Sequence, residues 1–146
     1  MCSKSLRRHR HRAARRQDYR CWYCTFPMWD DDPATFAQRH SLSVRLARRF
    51  RCTAEHLQAR STGGTDTPDN IVAACAHCNS TRHKRKSPPS PEVFRMQVAR
   101  RMERGCWHPV PAHSAFAVSR EATSMKAAAI AATGAAAPPR ETAEQG

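Results

Sequence analysis

The chain has few acidic residues for its size. Twelve Asp and Glu stand against 25 Lys and Arg among 146 residues, which gives a formal net charge of +13 and a pI of about 10.5. This shortage of negative charge indicates a polyanionic partner. Most of the basic residues are arginines, which bind phosphate bidentately, and no long apolar face accompanies them. The composition therefore favours nucleic acid over a membrane surface.

Long hydrophobic runs are also missing. Residues 1–20 are basic and lack the apolar core of a secretory leader. The Ala-rich segment 127–137 is too short to cross a bilayer and is interrupted by Thr133 and Gly134. With 146 residues, the chain supports at most one domain. A reducing cytoplasm is the expected location, and no membrane partner is expected.

Cysteine, by contrast, is plentiful. Four of the seven Cys form two C-x-x-C pairs, Cys21 with Cys24 and Cys75 with Cys78. Such pairs on either side of a ββ element predict one tetrahedral structural zinc site and not a disulfide framework. The metal would stabilise a core that is too small to fold alone. Four buried free thiols, or a redox-active pair, explain the doubled spacing less well. We expect the leftover Cys52 to face the core.

Local signals in the middle of the chain predict a small α+β unit. Asp32 followed by Pro33, and then Ser43, resemble the caps of two short helices. A strand is predicted around Cys52, followed by a loop rich in turn formers and a second strand from Ile71. A helix should begin near Asn79. The expected core unit is thus strand, long loop, strand and helix.

Composition divides the chain into four parts. Residues 1–17 form a basic arm, predicted to be disordered and to bind phosphates without reading sequence. Residues 18–88 contain the chemical motifs. Residues 89–110 predict an accessory amphipathic helix, with Gly105 at its C-terminal cap, which either packs on the core or contacts DNA. Residues 111–146 are predicted to be a disordered tail rich in Ala and Pro.

Glu55 and His56 are the residues with the clearest chemical potential. Consecutive residues of a regular strand point to opposite sides, so they converge on one site only where the strand ends and the chain bends. Glu55 would then offer an oxygen to a divalent cation, and Asn79 and His83 would face it from one side of a helix. His56 would take a proton from water, since phosphodiester hydrolysis needs a base and a cation.

Together these motifs resemble the four-Cys branch of the HNH endonucleases. The resemblance covers roughly residues 18–86 and rests on the motifs Cys21-x-x-Cys24, Glu55-His56, Gly63-Gly64, Asn70-Ile-Val and Cys75-x-x-Cys78-Asn79-x-x-Arg82-His83. It implies a ββα-metal finger stapled by a four-Cys zinc site, with flanking short helices and disordered termini.

The resemblance also implies roles for individual residues. His56 is similar to the general base, and Asn70 to the residue that braces the loop and orients that base. Glu55, Asn79 and His83 look like ligands of a catalytic Mg²⁺ or another divalent ion. The zinc on the four Cys would be structural. In this branch the residue before the first His is most often Asp, so Glu55, with one more methylene, is a departure that leaves its role as a ligand open.

Basic residues on both sides of the motif are expected to contact nucleic acid. Arg82 is a candidate for neutralising transition-state charge. Phosphate contacts are expected from the arm and from the residues after Arg82, namely Arg7, Arg8, Arg10, Arg12, Arg15, Arg16, Lys84, Arg85 and Lys86.

The sequence thus predicts a metal-dependent endonuclease that hydrolyses DNA, with His56 as the general base. The alternative is a zinc-stabilised nucleic-acid-binding protein without catalysis. RNA as the substrate and the oligomeric state both stay open.

Overall fold

A computed structural model describes residues 4–117. Their helices are α1 (Lys4–Arg16), α2 (Pro33–Arg39), α3 (Val44–Ala47), α4 (Ala76–His83) and α5 (Pro91–Glu103), and their strands are β1 (Cys52–His56) and β2 (Ile71–Cys75). Residues 110–117 are also helical. The order β1, loop, β2, α4 confirms the predicted core unit and the small α+β class.

The two strands form an antiparallel pair that runs from Cys52 opposite Cys75 to His56 opposite Ile71. Two strands alone are marginally stable in water, so other elements must cover them. Helix α1 packs against both strands, and α4 follows β2 directly. Cys52 is almost fully buried, as predicted.

Local capping explains where the helices begin. The Asp32 side chain accepts a hydrogen bond from Thr35 N at 2.8 Å, and Ser43 caps α3 in the same way. Both helices were predicted from these signals. Helix α4 begins at Ala76, three residues earlier than predicted, because Cys75 Sγ accepts from Cys78 N at 3.4 Å and acts as its N-cap.

Helix α1 corrects the expectation of a disordered arm. Ala13 and Ala14 are fully buried, whereas the arginines beside them face outward. Gln17 follows the helix and binds the backbone of Ala73 with both ends of its amide, at 2.8 and 2.9 Å. Gln17 and Ala73 are 56 residues apart in the sequence, so α1 is held by tertiary contacts that outweigh the repulsion between its basic side chains.

The core also extends past the predicted boundary of the nuclease segment. Phe26, Phe50 and Phe116 pack edge to face or tilted, with ring centroids 4.7 to 6.2 Å apart. The compact unit ends at Phe116. Residues 111–117, which the sequence assigned to a disordered tail, are helical, and the rest of that predicted segment, 118–146, lies outside the described part of the chain.

Helix α5 matches the amphipathic helix predicted within 89–110. Its buried residues include Phe94 and Val98, and Gly105 follows its end with a φ of 64°, where glycine is favoured. One face of α5 thus packs on the core, while its arginines remain exposed.

We expect the packing of α1 to be measurable as stability. Ala13→Gln places a larger polar side chain at a fully buried position and should lower the free energy of unfolding by about 1–3 kcal/mol. Arg12→Gln, at the adjacent exposed position, should change it by less than about 0.5 kcal/mol. Urea unfolding followed by tryptophan fluorescence measures both. Equal stability of the two variants would contradict the packing of α1.

Candidate active site and metal centre

Four cysteines from two segments meet at one point. The Sγ atoms of Cys21, Cys24, Cys75 and Cys78 all lie within 4.8 Å of one another, and all four residues are buried. The first pair comes from a tight turn in which Cys21 N donates to Phe26 O and Thr25 N to Cys21 O, both at 2.9 Å. The second pair comes from the end of β2 and the first turn of α4.

This donor set fits a structural metal ion. Four thiolates from paired C-x-x-C turns are the ligands of structural zinc sites. Burial raises the pKa of the Cys24 and Cys78 thiols, so without a cation these sulfurs hold their protons. A bound Zn²⁺ would displace the protons and balance the thiolate charge.

N–H groups around the cluster support the sulfurs. Cys75 N donates to Cys21 Sγ at 3.2 Å. The indole Nε1 of Trp107 donates to Cys78 Sγ, also at 3.2 Å. Trp107 lies beyond α5 and was not predicted to take part in the site. Such outer contacts orient metal ligands and tune their charge.

Glu55 occupies a buried polar cluster between β1 and α4. Only 1% of its side chain is exposed. Its Oε1 accepts from Tyr23 Oη at 2.8 Å and forms an ion pair with the Arg82 guanidinium, while its Oε2 lies 3.1 Å from His83 Nε2. Burial, followed by the Glu55 charge, raises the pKa of Tyr23, so the phenol stays protonated and donates.

Arg82 ties α4 to the end of β1. Besides its ion pair with Glu55, the guanidinium donates to His56 O at 3.2 Å and to Pro89 O at 3.1 Å. Its side chain is 4% exposed. A charged residue buried this deeply is stable because it is paired and hydrogen-bonded. Arg82 thus holds the local structure of the site, a role that sequence analysis did not assign to it.

His56 is the last residue of β1, and its ring contacts the following loop. Its Nε2 lies 2.8 Å from Asp66 Oδ1, and Arg60 forms an ion pair with the same carboxylate. Hydrogen bonds from Arg60 and His56 lower the pKa of Asp66 to about 2. The carboxylate is therefore ionised at neutral pH and acts only as an acceptor.

Asn70 closes the loop between the two strands. Its Oδ1 accepts from Gln58 N at 2.8 Å, and its Nδ2 donates to Gln58 O and Thr65 O at 3.1 and 2.9 Å. Gly64 lies close to this turn, where a Cβ would meet Gln58 O at 1.8 Å. The loop that carries Asp66 is therefore fixed at both ends.

Asn79 is oriented by the strand that it faces. Its Nδ2 donates to Thr53 Oγ1 at 3.0 Å and to Ala54 O at 3.1 Å. Because the amide nitrogen is bound to β1, its Oδ1 points away from these two acceptors. The hydrogen-bonding contacts of Asn79 are thus separate from those of Glu55 and His83.

The structure brings the predicted residues together in two groups at the end of β1. Glu55, Arg82 and His83 contact one another, whereas the His56 ring contacts the loop. Tyr23, Asp66 and Trp107 were not among the predicted site residues. Asp66 is the one acid in the Gly- and Thr-rich stretch 61–68, and Trp107 is an isolated aromatic after α5; these were the available signals.

Most of the predicted basic contacts are exposed. On α1 these are Arg7, Arg8, Arg12, Arg15 and Arg16, and after α4 they are Lys84, Arg85 and Lys86. Arg10 differs, because it is half-buried and donates to Asp30 at 2.6 Å. Its contact holds α1 to the segment before α2.

The family comparison agrees with this geometry. Residues 46–85 match the family model described as HNH endonuclease, a segment that includes β1, the loop, β2 and α4. The similarity to HNH endonucleases thus lies in this segment, and the four-Cys cluster supports the zinc-binding type. Comparison with curated proteins and with solved structures gave no match.

No helix within residues 4–117 combines the length and apolar character that crossing a membrane requires.

The contact between Trp107 and Cys78 predicts a measurable contribution to metal affinity. Trp107→Phe keeps an aromatic ring but removes the N–H donor, so zinc affinity should fall by about 10–100-fold. Competition with a chromogenic chelator measures this change. Trp22→Phe is the matched control, because Trp22 lies in the turn between Cys21 and Cys24 and its ring packs edge to face on Tyr23. Equal zinc affinities in both variants would show that the Trp107 N–H does not contribute to zinc binding.

Proposed function

We propose that this protein is a metal-dependent endonuclease that hydrolyses DNA phosphodiester bonds. The observation that carries the proposal lies at the end of β1, inside the segment that matches the HNH family. There a histidine bound to an ionised carboxylate follows directly after a buried glutamate that faces a second histidine.

His56 would act as the general base. Because Asp66 can only accept, the His56 Nε2 must carry the proton in their hydrogen bond. The neutral ring then keeps its lone pair on Nδ1, which is the atom that would take a proton from the attacking water. Asp66 would position the ring and stabilise the imidazolium that forms.

Glu55, Asn79 and His83 would hold a divalent cation such as Mg²⁺. Glu55 Oε2 and His83 Nε2, 3.1 Å apart, are donors of the type that divalent ions accept, and Asn79 adds an amide oxygen. When bound, the ion would supply Lewis-acid stabilisation to the scissile phosphate and the leaving oxygen. Arg82 would limit the charge that Glu55 presents to the cation, because it pairs with the other carboxylate oxygen.

Zn²⁺ on Cys21, Cys24, Cys75 and Cys78 would be structural. All four ligands come from protein thiols, so no position is left for water or substrate. The exposed arginines of α1, together with Lys84, Arg85 and Lys86, would add phosphate contacts that do not depend on base sequence.

One observation favours the alternative of a non-catalytic nucleic-acid-binding protein. The Glu55 carboxylate is already neutralised by Arg82, and Tyr23 donates to the same oxygen. A glutamate that is fully committed to these partners would serve stability and not metal binding. Both functions share the zinc site and the basic surface, so activity is what separates them.

Plasmid nicking tests the proposed catalysis. Supercoiled plasmid should be nicked in the presence of Mg²⁺ or Mn²⁺ and stay intact with EDTA. His56→Ala should lower the rate by about 10²–10⁴-fold, as expected when a general base is removed. His11→Ala, an exposed histidine on α1, is the control. Plasmid that stays intact with several divalent ions, although the wild-type protein binds it, would favour the non-catalytic alternative.

Asp66→Ala tests the positioning of the base. We expect the rate constant for nicking to fall by about 10-fold or more while the KM changes little, because the base loses its orientation and not its substrate. Nitrogen NMR of the imidazole provides a separate readout. The wild-type ring should be protonated on Nε2, and the variant should show a mixture of tautomers. Unchanged NMR signals, or faster nicking by the variant, would rule out this role of Asp66.

A further inference from the structure

A basic groove lies between α4 and α5. Its volume is about 350 Å³, and its lining includes Arg82 and Arg85 from the α4 side, and Arg100, Arg101 and Arg104 from the α5 side. Trp107 forms part of its wall. The individually predicted phosphate contacts include Arg85 but no α5 arginine, although a DNA contact by this helix was one of its two predicted roles.

The charge of the groove is of one sign. No Asp or Glu lines it, although α5 itself contains Glu92 and Glu103. Arg100, Arg101 and Arg104 are exposed, so their charges are not neutralised by burial against an acid. Like charges held close together repel, and an anion placed between them relieves this repulsion. The groove thus has the electrostatics of a site for phosphate groups.

Aromatic contacts fix part of this surface. The Arg101 guanidinium lies 5.7 Å from the centre of the Trp107 ring, a cation–π distance. Trp107 is in turn anchored to Cys78 through its indole N–H. Because its ring is only 8% exposed, Trp107 cannot stack on a base and serves to orient the arginine. The groove therefore provides positive charge for phosphates, and Trp107 provides no exposed ring on which a base could stack.

Arg82 connects the groove to the candidate site. The same side chain lines the groove and pairs with Glu55 beside His83. A phosphate chain that entered the site would thus have arginines along its path on the α5 side. The lining is dominated by arginine, whereas small-molecule sites are mostly apolar.

We propose that the groove between α4 and α5 binds the phosphodiester backbone of nucleic acid, with Arg100, Arg101 and Arg104 as contacts. This inference deepens the proposed function, since it assigns the surface that carries the strand away from the site of cleavage. It gives α5 a binding role in addition to its packing on the core.

Salt-dependent binding tests the groove. The triple variant Arg100→Gln, Arg101→Gln, Arg104→Gln is titrated with a fluorescent DNA duplex, without added Mg²⁺, in the His56→Ala background. A plot of log K against log salt has a negative slope, and each lost phosphate contact makes it shallower by about 0.9. We therefore expect the slope of the triple variant to be shallower by about 2–3, and its binding to be at least about 10-fold weaker.

The matched control removes the same charge elsewhere. Arg39→Gln, Arg45→Gln, Arg48→Gln changes three exposed arginines on α2, on α3 and in the turn after α3. Its salt slope should stay that of the parent protein. If both triple variants bind DNA alike, the groove is not a nucleic-acid site. If the groove variant loses stability, Arg100→Gln with Arg104→Gln leaves the Arg101–Trp107 contact intact and should lower the slope by about 2.

A calorimetric titration with inorganic phosphate distinguishes a free anion from a nucleic-acid chain. Micromolar phosphate binding that the groove variant abolishes, with the DNA slope unchanged, would overturn the proposal.

The proposed catalysis can fail separately. Groove-dependent DNA binding by a protein that never nicks plasmid would uphold this inference and reject only the nuclease activity. If the protein nicks plasmid but the groove variant binds DNA as the parent protein does, only the proposed role of the groove is rejected.

Discussion

The four-sulfur cluster is the constraint on which the rest of the structure depends. It joins a turn near residue 21 to the point where β2 becomes α4, and so connects parts of the chain more than 50 residues apart. A two-stranded sheet with one short helix buries too little apolar surface to be stable by itself. Because the cluster fixes where α4 starts, it also fixes where Asn79, Arg82 and His83 lie relative to β1. The geometry of the candidate site thus depends on the four-sulfur cluster.

The buried Glu55 shows how the site combines stability with chemistry. A carboxylate with 1% exposure needs partners, and these are Tyr23, from the turn between Cys21 and Cys24, and Arg82 and His83, from α4. Removing one partner from such a pair leaves an uncompensated charge in a buried environment. The residue is therefore held in place for reasons independent of any cation. This also explains why a glutamate, with its longer reach, is accommodated at this position.

The parts of the fold that could be predicted depend on signals within a few residues. Helix caps at Asp32 and Ser43, and the C-x-x-C spacing, each act over three or four positions, and the structure contains all of them. Helix α1 could not be predicted, because its charge pattern resembles a disordered arm and its stability comes from Ala73, far along the chain. Asp66 and Trp107 are ordinary residue types outside any motif, so only the folded chain reveals their partners.

The amide of Gln17 has a consequence for self-association. It bonds the N–H and C=O of Ala73 on the side of β2 turned away from β1, where Trp22 N also donates to Ala73 O at 3.0 Å and Cys75 N donates to Cys21 Sγ at 3.2 Å. Open strand edges recruit strands from other molecules and initiate aggregation. Gln17, Cys21 and Trp22 together thus take the place of a third strand. A shortened chain that began after Gln17 would leave the Ala73 N–H without its partner, so the segment that follows the basic N-terminal helix helps to close this edge whether or not the helix binds nucleic acid.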